Sequence, residues 1–438
     1  MGSVATGAFG TVPGLLLLPY LTDTLGVAAA IAGVIVFLPK AWDVILNPIA
    51  GRISDRHVSP LGPRRPFLLR AGVALAVTFA LIFAGPSLGS PALDATWVVV
   101  AFLACATAYA FFQVPFVAMP AEITDDYTER TRLMTWRVAL LALAILLSGA
   151  SAPAIRDAVG GREGYRVMGV AVACIILVGI LGAYYGTRRA PVGRVSAAGG
   201  TLTEQLRIVA GARDFRLLLT TFMIQALGIG AMLAGVDYMA RVVLENRGAS
   251  TILFVCFVGP ALILTPVWAA VGDRIGKKRG YVAASLFLAT GSLLLVLAQQ
   301  VPAAVVFIAT GLVGVGYAGA QVFPMAMLPD TAAVDAARSG SNRAGVFTGV
   351  WTAGETLGLA LGPGIFGLVL AAGGYVSSRD GVSVDQPDSA VTAIVLGFSV
   401  LPALLTVVSL WWLARYSLSP EEVRAAMAEV STTPEEDS

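Results

Sequence analysis

About twelve apolar stretches, each long enough to cross a bilayer as a helix, follow one another through this 438-residue chain, separated by short polar segments. They fall at approximately 3–21, 27–50, 67–87, 95–119, 133–155, 166–186, 215–240, 251–271, 281–299, 302–328, 345–373 and 390–414. A water-soluble fold is excluded on the same ground, since 13% charged residues is about half the share in soluble domains and 57% of residues are hydrophobic. The net charge of +2 leaves no basic field of the size that nucleic acid requires. Cys105, Cys174 and Cys256 lie far apart in apolar stretches, which gives neither metal-ligand spacing nor a disulfide framework. The first stretch lacks a basic leading region, so it reads as the first span and not as a cleavable signal.

Loops rich in Lys and Arg belong on the cytoplasmic side. Those carrying Arg52, Arg56, Arg64 and Arg65, then Arg130 and Arg132, then Arg188, Arg189 and Arg194, then Lys277, Lys278 and Arg279 share one side if the number of spans is even. Both termini are then expected to be cytoplasmic. The polar break 187–214, with Pro191 and the run SAAGG, separates two halves of six spans. The expected organisation is a first bundle at 1–186, a linker at 187–214, a second bundle at 215–415 and a tail at 416–438. GRISDR…GPRRP at Gly51–Pro66 and GDRIGKKR at Gly272–Arg279 each follow the second span of their half, an internal repeat that marks pseudo-symmetry. In each copy the glycine permits a tight helix exit, the aspartate can pair with a loop arginine, and the cations meet headgroups. Gly51, Asp55, Arg56, Arg64, Arg65, Gly272, Asp273 and Arg274 are therefore assigned to loop gating.

Charges inside spans constrain function most. Lys40, Asp43 and Asn47 sit at i, i+3 and i+7 of the second span, on one helix face that must avoid lipid. An ionised side chain at mid-span costs about 2.5–3.5 kcal/mol on insertion scales, so these residues need a partner or a function. A Lys40–Asp43 ion pair would offset part of that cost; fastening helices together is the alternative role. Asp237 and Arg241, one turn apart near the end of the seventh span, read as a peripheral salt bridge. Gly354, Gly358 and Gly362 allow close helix packing, and Pro39, Pro48 and Pro115 can kink helices. His57 reads as solvated, and Ser419 with Glu422 forms a capping box ahead of an acidic end.

The segment LPKAWDVILNPIAGRISDR…GPRRPFLL at Leu38–Leu69, with TDTLG at Thr22–Gly26, VPF at Val114–Phe116 and GVWTAGETLGLALGP…AAGGY at Gly349–Tyr375, resembles the glycoside-pentoside-hexuronide:cation symporters of the major facilitator superfamily. The resemblance implies an all-α membrane protein of twelve transmembrane helices in two pseudo-symmetric six-helix bundles that rock about a central site. It also implies cation coupling at the position of Asp43, with Lys40 and Asn47 beside it. Substrate-binding positions by the same resemblance are Tyr109, Gln113, Arg137, Gln321 and Thr352, and the mid-span carboxylate Glu355 joins them. Arg137 has snorkelling to the headgroups as its other reading. Four positions depart from the family pattern: Asn47 where a second carboxylate is usual, and Gln113, Val117 and Thr356 where the family's melibiose carriers have aspartate, tryptophan and lysine. A proton needs one carboxylate, whereas sodium benefits from several, so H+ is favoured over Na+ as coupling ion, and no cofactor is implied.

The functional expectation is a secondary transporter working by symport of a sugar or glycoside, as a monomer in a bacterial cytoplasmic membrane. The rivals are transport or export of an amphiphile, lysolipid or other metabolite, and a transport-inactive sensor. Enzymatic function is not expected, because no HExxH, nucleophile–base or nucleotide-loop signature is present.

Overall fold

A helix closes all its backbone hydrogen bonds within one segment, which is why apolar stretches of this length fold as helices in lipid. The computed structural model describes residues 1–55, 57, 59, 64–123, 127–188, 202–339, 343–380, 382, 384–419 and 421–425. Its helices are α1 (Gly2–Pro19), α2 (Ala29–Asp55), α3 (Arg65–Phe83), α4 (Pro91–Ile123), α5 (Tyr127–Val159), α6 (Gly161–Thr187), α7 (Leu202–Gly211), α8 (Arg213–Tyr238), α9 (Ala249–Ile275), α10 (Lys277–Leu294), α11 (Ala303–Ser339), α12 (Ala344–Ala372), α13 (Asp388–Phe398) and α14 (Val400–Arg415). Among the described residues there are twelve candidate spans, with α13 and α14 together making the last. Two helices change pitch at equivalent places: α1 runs on into a π-helical turn at Tyr20–Thr24, and α8 into another at Met239–Val243. Among the described residues the extended pairing is limited to one isolated antiparallel bridge, Leu25 with Arg379.

Several helices outrun their apolar stretch. The tenth span continues past Leu328 to Ser339, because Lys277 pairs with Asp330 at 2.7 Å and Thr331 Oγ1 donates to Leu328 O, which satisfies the polar extension. The expected linker contains the short helix α7. At the tail, Glu422 N donates to Ser419 Oγ and Ser419 N to Glu422 Oε2, the reciprocal capping box read from sequence.

The chain forms two compact units. The first comprises residues 1–197, 231–255 and 360–398. Here α1 packs on α2, α5 and α6, and nearly all its residues are buried, which suits a helix that is apolar all round. Small residues set these approaches, since lipid tails offer no hydrophobic gain for helix association and close van der Waals packing must supply it. A Cβ added at Gly367 of α12 would stand 2.7 Å from Ala29 O, and one at Gly33 of α2 would stand 2.9 Å from Gly364 O. The two backbones touch there.

The second unit comprises residues 198–230, 256–359 and 399–438. It packs α10 against α11 and α14. Buried Gln225 on α8 ties three helices by donating to Ser285 Oγ at 3.0 Å and Ser409 Oγ at 2.9 Å. Lys278 donates to the carbonyls of Ala414 and Tyr416, placing a cation at the C-terminus of α14 where the helix dipole favours it. Gly358 meets the α8 backbone, with Met223 O 2.9 Å from an added Cβ, as the close-packing glycine pattern of the eleventh span requires.

Candidate functional site

The first unit holds the second-span block. Leu46 and Ala50 of α2 pack on Ala110 of α4, with Ile49, Phe111 and Val114 around them, so α2 and α4 run side by side at this level. That apolar seam fixes the height of three polar side chains. Asp43, 2% exposed, Asn47 one turn along α2, and Gln113 on α4 each bury a side-chain oxygen, Oδ1, Oδ1 and Oε1 respectively, that accepts no hydrogen bond. Buried acceptors are nearly always satisfied in folded proteins. Three unsatisfied acceptors on two adjacent helices have the chemistry to accept a proton, a cation or hydroxyl hydrogens.

Lys40 does not pair with Asp43: no ion pair within 4 Å joins them among the described residues. Its ammonium instead lies 4.6 Å from the centre of the Phe9 ring and 6.0 Å from that of Tyr109. The two rings are stacked on each other at 4.1 Å. An ammonium over the negative face of an aromatic ring is stabilised without a counter-ion, by about 2 kcal/mol when desolvated. The carboxylate of Asp43 is thereby left for another partner. Phe9 comes from α1, and nothing in the local pattern around Lys40 points to it.

Arg137 of α5 lies over the Phe116 ring of α4, with its guanidinium carbon 5.4 Å from the ring centre, while its neighbour Trp136 is exposed. The arginine thus turns toward the other helices and the tryptophan away from them. Trp42 donates from Nε1 to Thr107 Oγ1 at 3.2 Å, another α2–α4 link.

In the second unit Gln321 donates to Tyr317 Oη at 3.0 Å, and Tyr317 stands 5.2 Å from Phe257. Thr352 and Thr356 donate to the carbonyls one turn back on α12, Thr348 O and Thr352 O. Glu355 lies between them, half-buried, and has no hydrogen-bond or ion-pair partner within this unit among its described residues.

The repeated basic block differs from its expected geometry. Gly51 and Gly272 lie inside the last turns of α2 and α9, not at helix exits. The glycine that turns the chain is Gly276, at φ +89°, a region costly for any other residue. Gly272 has a packing reason, because an added Cβ would stand 2.8 Å from the Phe323 ring. Asp273 and Arg274 are exposed without an ion-pair partner among the described residues, and the connections are made by Lys277 and Lys278. In the first copy Arg64 and Arg65 are buried, with Arg65 Nη1 3.4 Å from Arg188 O. The Asp55 side chain and Arg56 lie outside the described residues, as does the linker run SAAGG.

Asp237 and Arg241 form their expected salt bridge at 2.7 Å, but it is not peripheral. Asp237 has no exposed surface and is also held by Arg156 at 2.7 Å and Ser250 Oγ at 2.8 Å. One sequence signal could have found it: an aspartate stands at the end of the first span in each half, Asp23 and Asp237.

Comparison with known proteins agrees with this architecture. The family model described as MFS/sugar transport protein matches residues 1–420. The chain is 25% identical to the putative glycoside/cation symporter YagG of Escherichia coli, over 97% of this chain and 92% of that one. It is 24% identical to the isoprimeverose transporter of Lactiplantibacillus pentosus, over 87% and 80% of the two chains. Among solved structures, a bacterial homologue of the human lysosomal transporter Spinster superposes with a TM-score of 0.70 at 14% identity, covering 98% of this chain and 96% of that chain. Multi-pass architecture, the family model and these relatives make the protein a membrane transporter of the major facilitator superfamily, and it belongs to the MFS/sugar transport protein family, among the glycoside-pentoside-hexuronide:cation symporters.

Proposed function

We propose that the protein is a proton-coupled symporter of a sugar or glycoside, with Asp43 as the proton carrier. The observation that supports this most is the set of three unsatisfied buried oxygens of Asp43, Asn47 and Gln113, beside the Phe9–Tyr109 stack. One of the three belongs to a carboxylate and two to neutral amides. A single proton neutralises such a site, whereas sodium would find only one charge. The amide oxygens accept the hydroxyl hydrogens of a polyol, and Arg137 offers donors from the next helix. Gln321, Thr352 and Glu355, in the second unit, are proposed as further substrate-binding residues. The basic loops are proposed to be cytoplasmic, with Gly51, Asp55, Arg56, Arg64, Arg65, Gly272, Asp273 and Arg274 acting at that side.

A second reading, transport of an amphiphile, is favoured by one feature. Val117 is 38% exposed where a sugar carrier of the family has a tryptophan, leaving apolar surface without a ring to stack on.

Thermal unfolding of the purified protein against sugars, glycosides and lysolipids, at two pH values and with or without sodium, separates these readings. A ligand at 100 times its Kd should stabilise the fold by about 2.7 kcal/mol, a rise of several degrees. The symport reading expects that rise with a glycoside, dependent on pH and indifferent to sodium. A rise with lysolipid alone would refute the sugar assignment.

A further inference from the structure

Two helices of the second unit start at one cavity. The residues ahead of α8 and α12 are Ala212 and Arg343, whose carbonyls accept from Arg216 N at 3.1 Å and from Phe347 N at 3.4 Å. Neither side chain can accept from the free N–H groups of the first turn. Both residues line a cavity of about 440 Å³ formed by α7, the start of α8, the end of α11 and Leu418 of the tail. It lies at the end of this unit that carries the second basic block. Asp330, next to the lining residue Thr331, pairs with Lys277, and Lys278 bonds Tyr416 O two residues before Leu418.

The charge of this cavity is one-sided. Four arginines line it, Arg207, Arg213, Arg338 and Arg343, against two aspartates, Asp214 and Asp335. Both carboxylates are already engaged: Asp214 Oδ1 accepts from Ser417 N at 2.8 Å and from Ser417 Oγ at 3.1 Å, and Asp335 pairs with Arg343 at 3.2 Å. Arg207, Arg213 and Arg338 are exposed and have no ion-pair partner among the described residues. Arg213 is also the first residue of α8, where the helix dipole disfavours a cation. Arg343 stands in the same relation to α12, which has no acidic residue in its first turn. Guanidinium groups gathered at two helix N-termini form a receptor for an anion with several oxygens, of which a phosphate group is the best match.

The apolar part of the lining distinguishes between sources of phosphate. Phe215 and Val334 are buried there, and Ile208 and Leu418 half-buried. A free phosphate ion is hydrated on all sides and gains nothing from such a wall, whereas a phospholipid carries glycerol and acyl carbons next to its phosphate. The depth fits as well. Only Ala212 separates α7 from α8, so the cavity sits where the seventh span begins, at headgroup level. Basic pockets between spans on the side of the basic loops take anionic headgroups in this way.

We propose that this cavity binds the phosphate headgroup of an anionic phospholipid, one per chain, with Arg207, Arg213 and Arg338 as its ligands. The bound lipid ties α7 of the linker to α8 and to the end of α11.

The test needs neither solute nor ion gradient, so its outcome is independent of the symport reading. Purified protein in neutral detergent is titrated with a fluorescent phosphatidylglycerol, and the bound probe is competed with unlabelled phosphatidylglycerol, phosphatidylcholine or inorganic phosphate. Saturation at one probe per chain is expected, with competition by phosphatidylglycerol alone. Arg207→Gln combined with Arg338→Gln should weaken binding about thirtyfold, which corresponds to about 2 kcal/mol for two cations. Equal competition by phosphatidylcholine, or unchanged binding in the double variant, would overturn the proposal. Competition by inorganic phosphate at the concentration of the lipid would overturn it too, in favour of a soluble anion. Both arginines are exposed, so their replacement is expected to leave the fold intact. If the double variant does not fold, Arg213→Gln decides, and unchanged binding there overturns the proposal equally.

Discussion

Asp43→Asn is expected to abolish concentrative uptake while leaving equilibrium exchange of the solute intact. The substitution keeps the side-chain shape and one oxygen and removes only the group that gains and loses a proton. Its neighbours cannot take over, because Asn47 and Gln113 are neutral amides and Lys40 is engaged with the Phe9 and Tyr109 rings. One proton moving down a one-unit pH difference supports about tenfold accumulation, since each unit is worth about 1.4 kcal/mol. In proteoliposomes with that gradient, the variant's ratio of internal to external solute should fall from about ten to one. Glu355→Gln serves as the comparison, because Glu355 is the other half-buried mid-span carboxylate of the candidate set. It should lower the rate and keep the ratio. Accumulation that survives in Asp43→Asn and disappears in Glu355→Gln would move the carrier to α12.

The second large effect is a reversible lock. Leu25 and Arg379 face each other across an antiparallel bridge, where Cα atoms are about 4.5–5.5 Å apart, inside the range of about 4.4–6.8 Å that a disulfide accepts. Leu25→Cys with Arg379→Cys, in the background without native cysteines, should cross-link on mild oxidation. If these segments must part during each cycle, transport falls to the background of empty liposomes and returns when the disulfide is reduced. The reduced form also controls for the lost Arg379–Asp94 contact, which is half-exposed and contributes little. Full activity in the cross-linked protein would show that this end stays shut throughout the cycle.

What the sequence made legible was whatever depends on local pattern. Span length follows from the thickness of the hydrocarbon, so the helix order was readable, and the Ser419–Glu422 cap lies within one helical turn. What failed depends on residues distant in the chain. The spacing of Lys40 and Asp43 permits an ion pair, but Phe9 and Tyr109, brought in by α1 and α4, compete for the ammonium and take it. Asp237 looked peripheral because hydropathy places it near the end of a span. It is held in the interior by Arg156, eighty-odd positions earlier, and by Ser250 of α9. The basic repeat located the right connection and the wrong glycine, because Gly51 and Gly272 remain helical and the positive φ falls at Gly276.

The arginines at the other helix ends also gain a physical reason. Arg156, Arg162, Arg166, Arg241 and Arg379 lie at the helix ends opposite the basic loops, where an excess of cations is disfavoured if those loops are cytoplasmic. Each has a carboxylate within 4 Å: Asp157 or Asp237, Asp94, Glu163, Asp23 or Asp237, and Asp94. Paired in this way they add little net positive charge.

The central claim, proton-coupled transport of a glycoside through Asp43, is tested most directly by proton movement itself. Wild-type protein is reconstituted into liposomes loaded with a pH-sensitive dye, and a glycoside that raises its melting temperature is added outside without sodium. Prompt internal acidification, absent in Asp43→Asn liposomes, is the expected result. Solute entry with no change in internal pH, or acidification of equal size in Asp43→Asn, would contradict it.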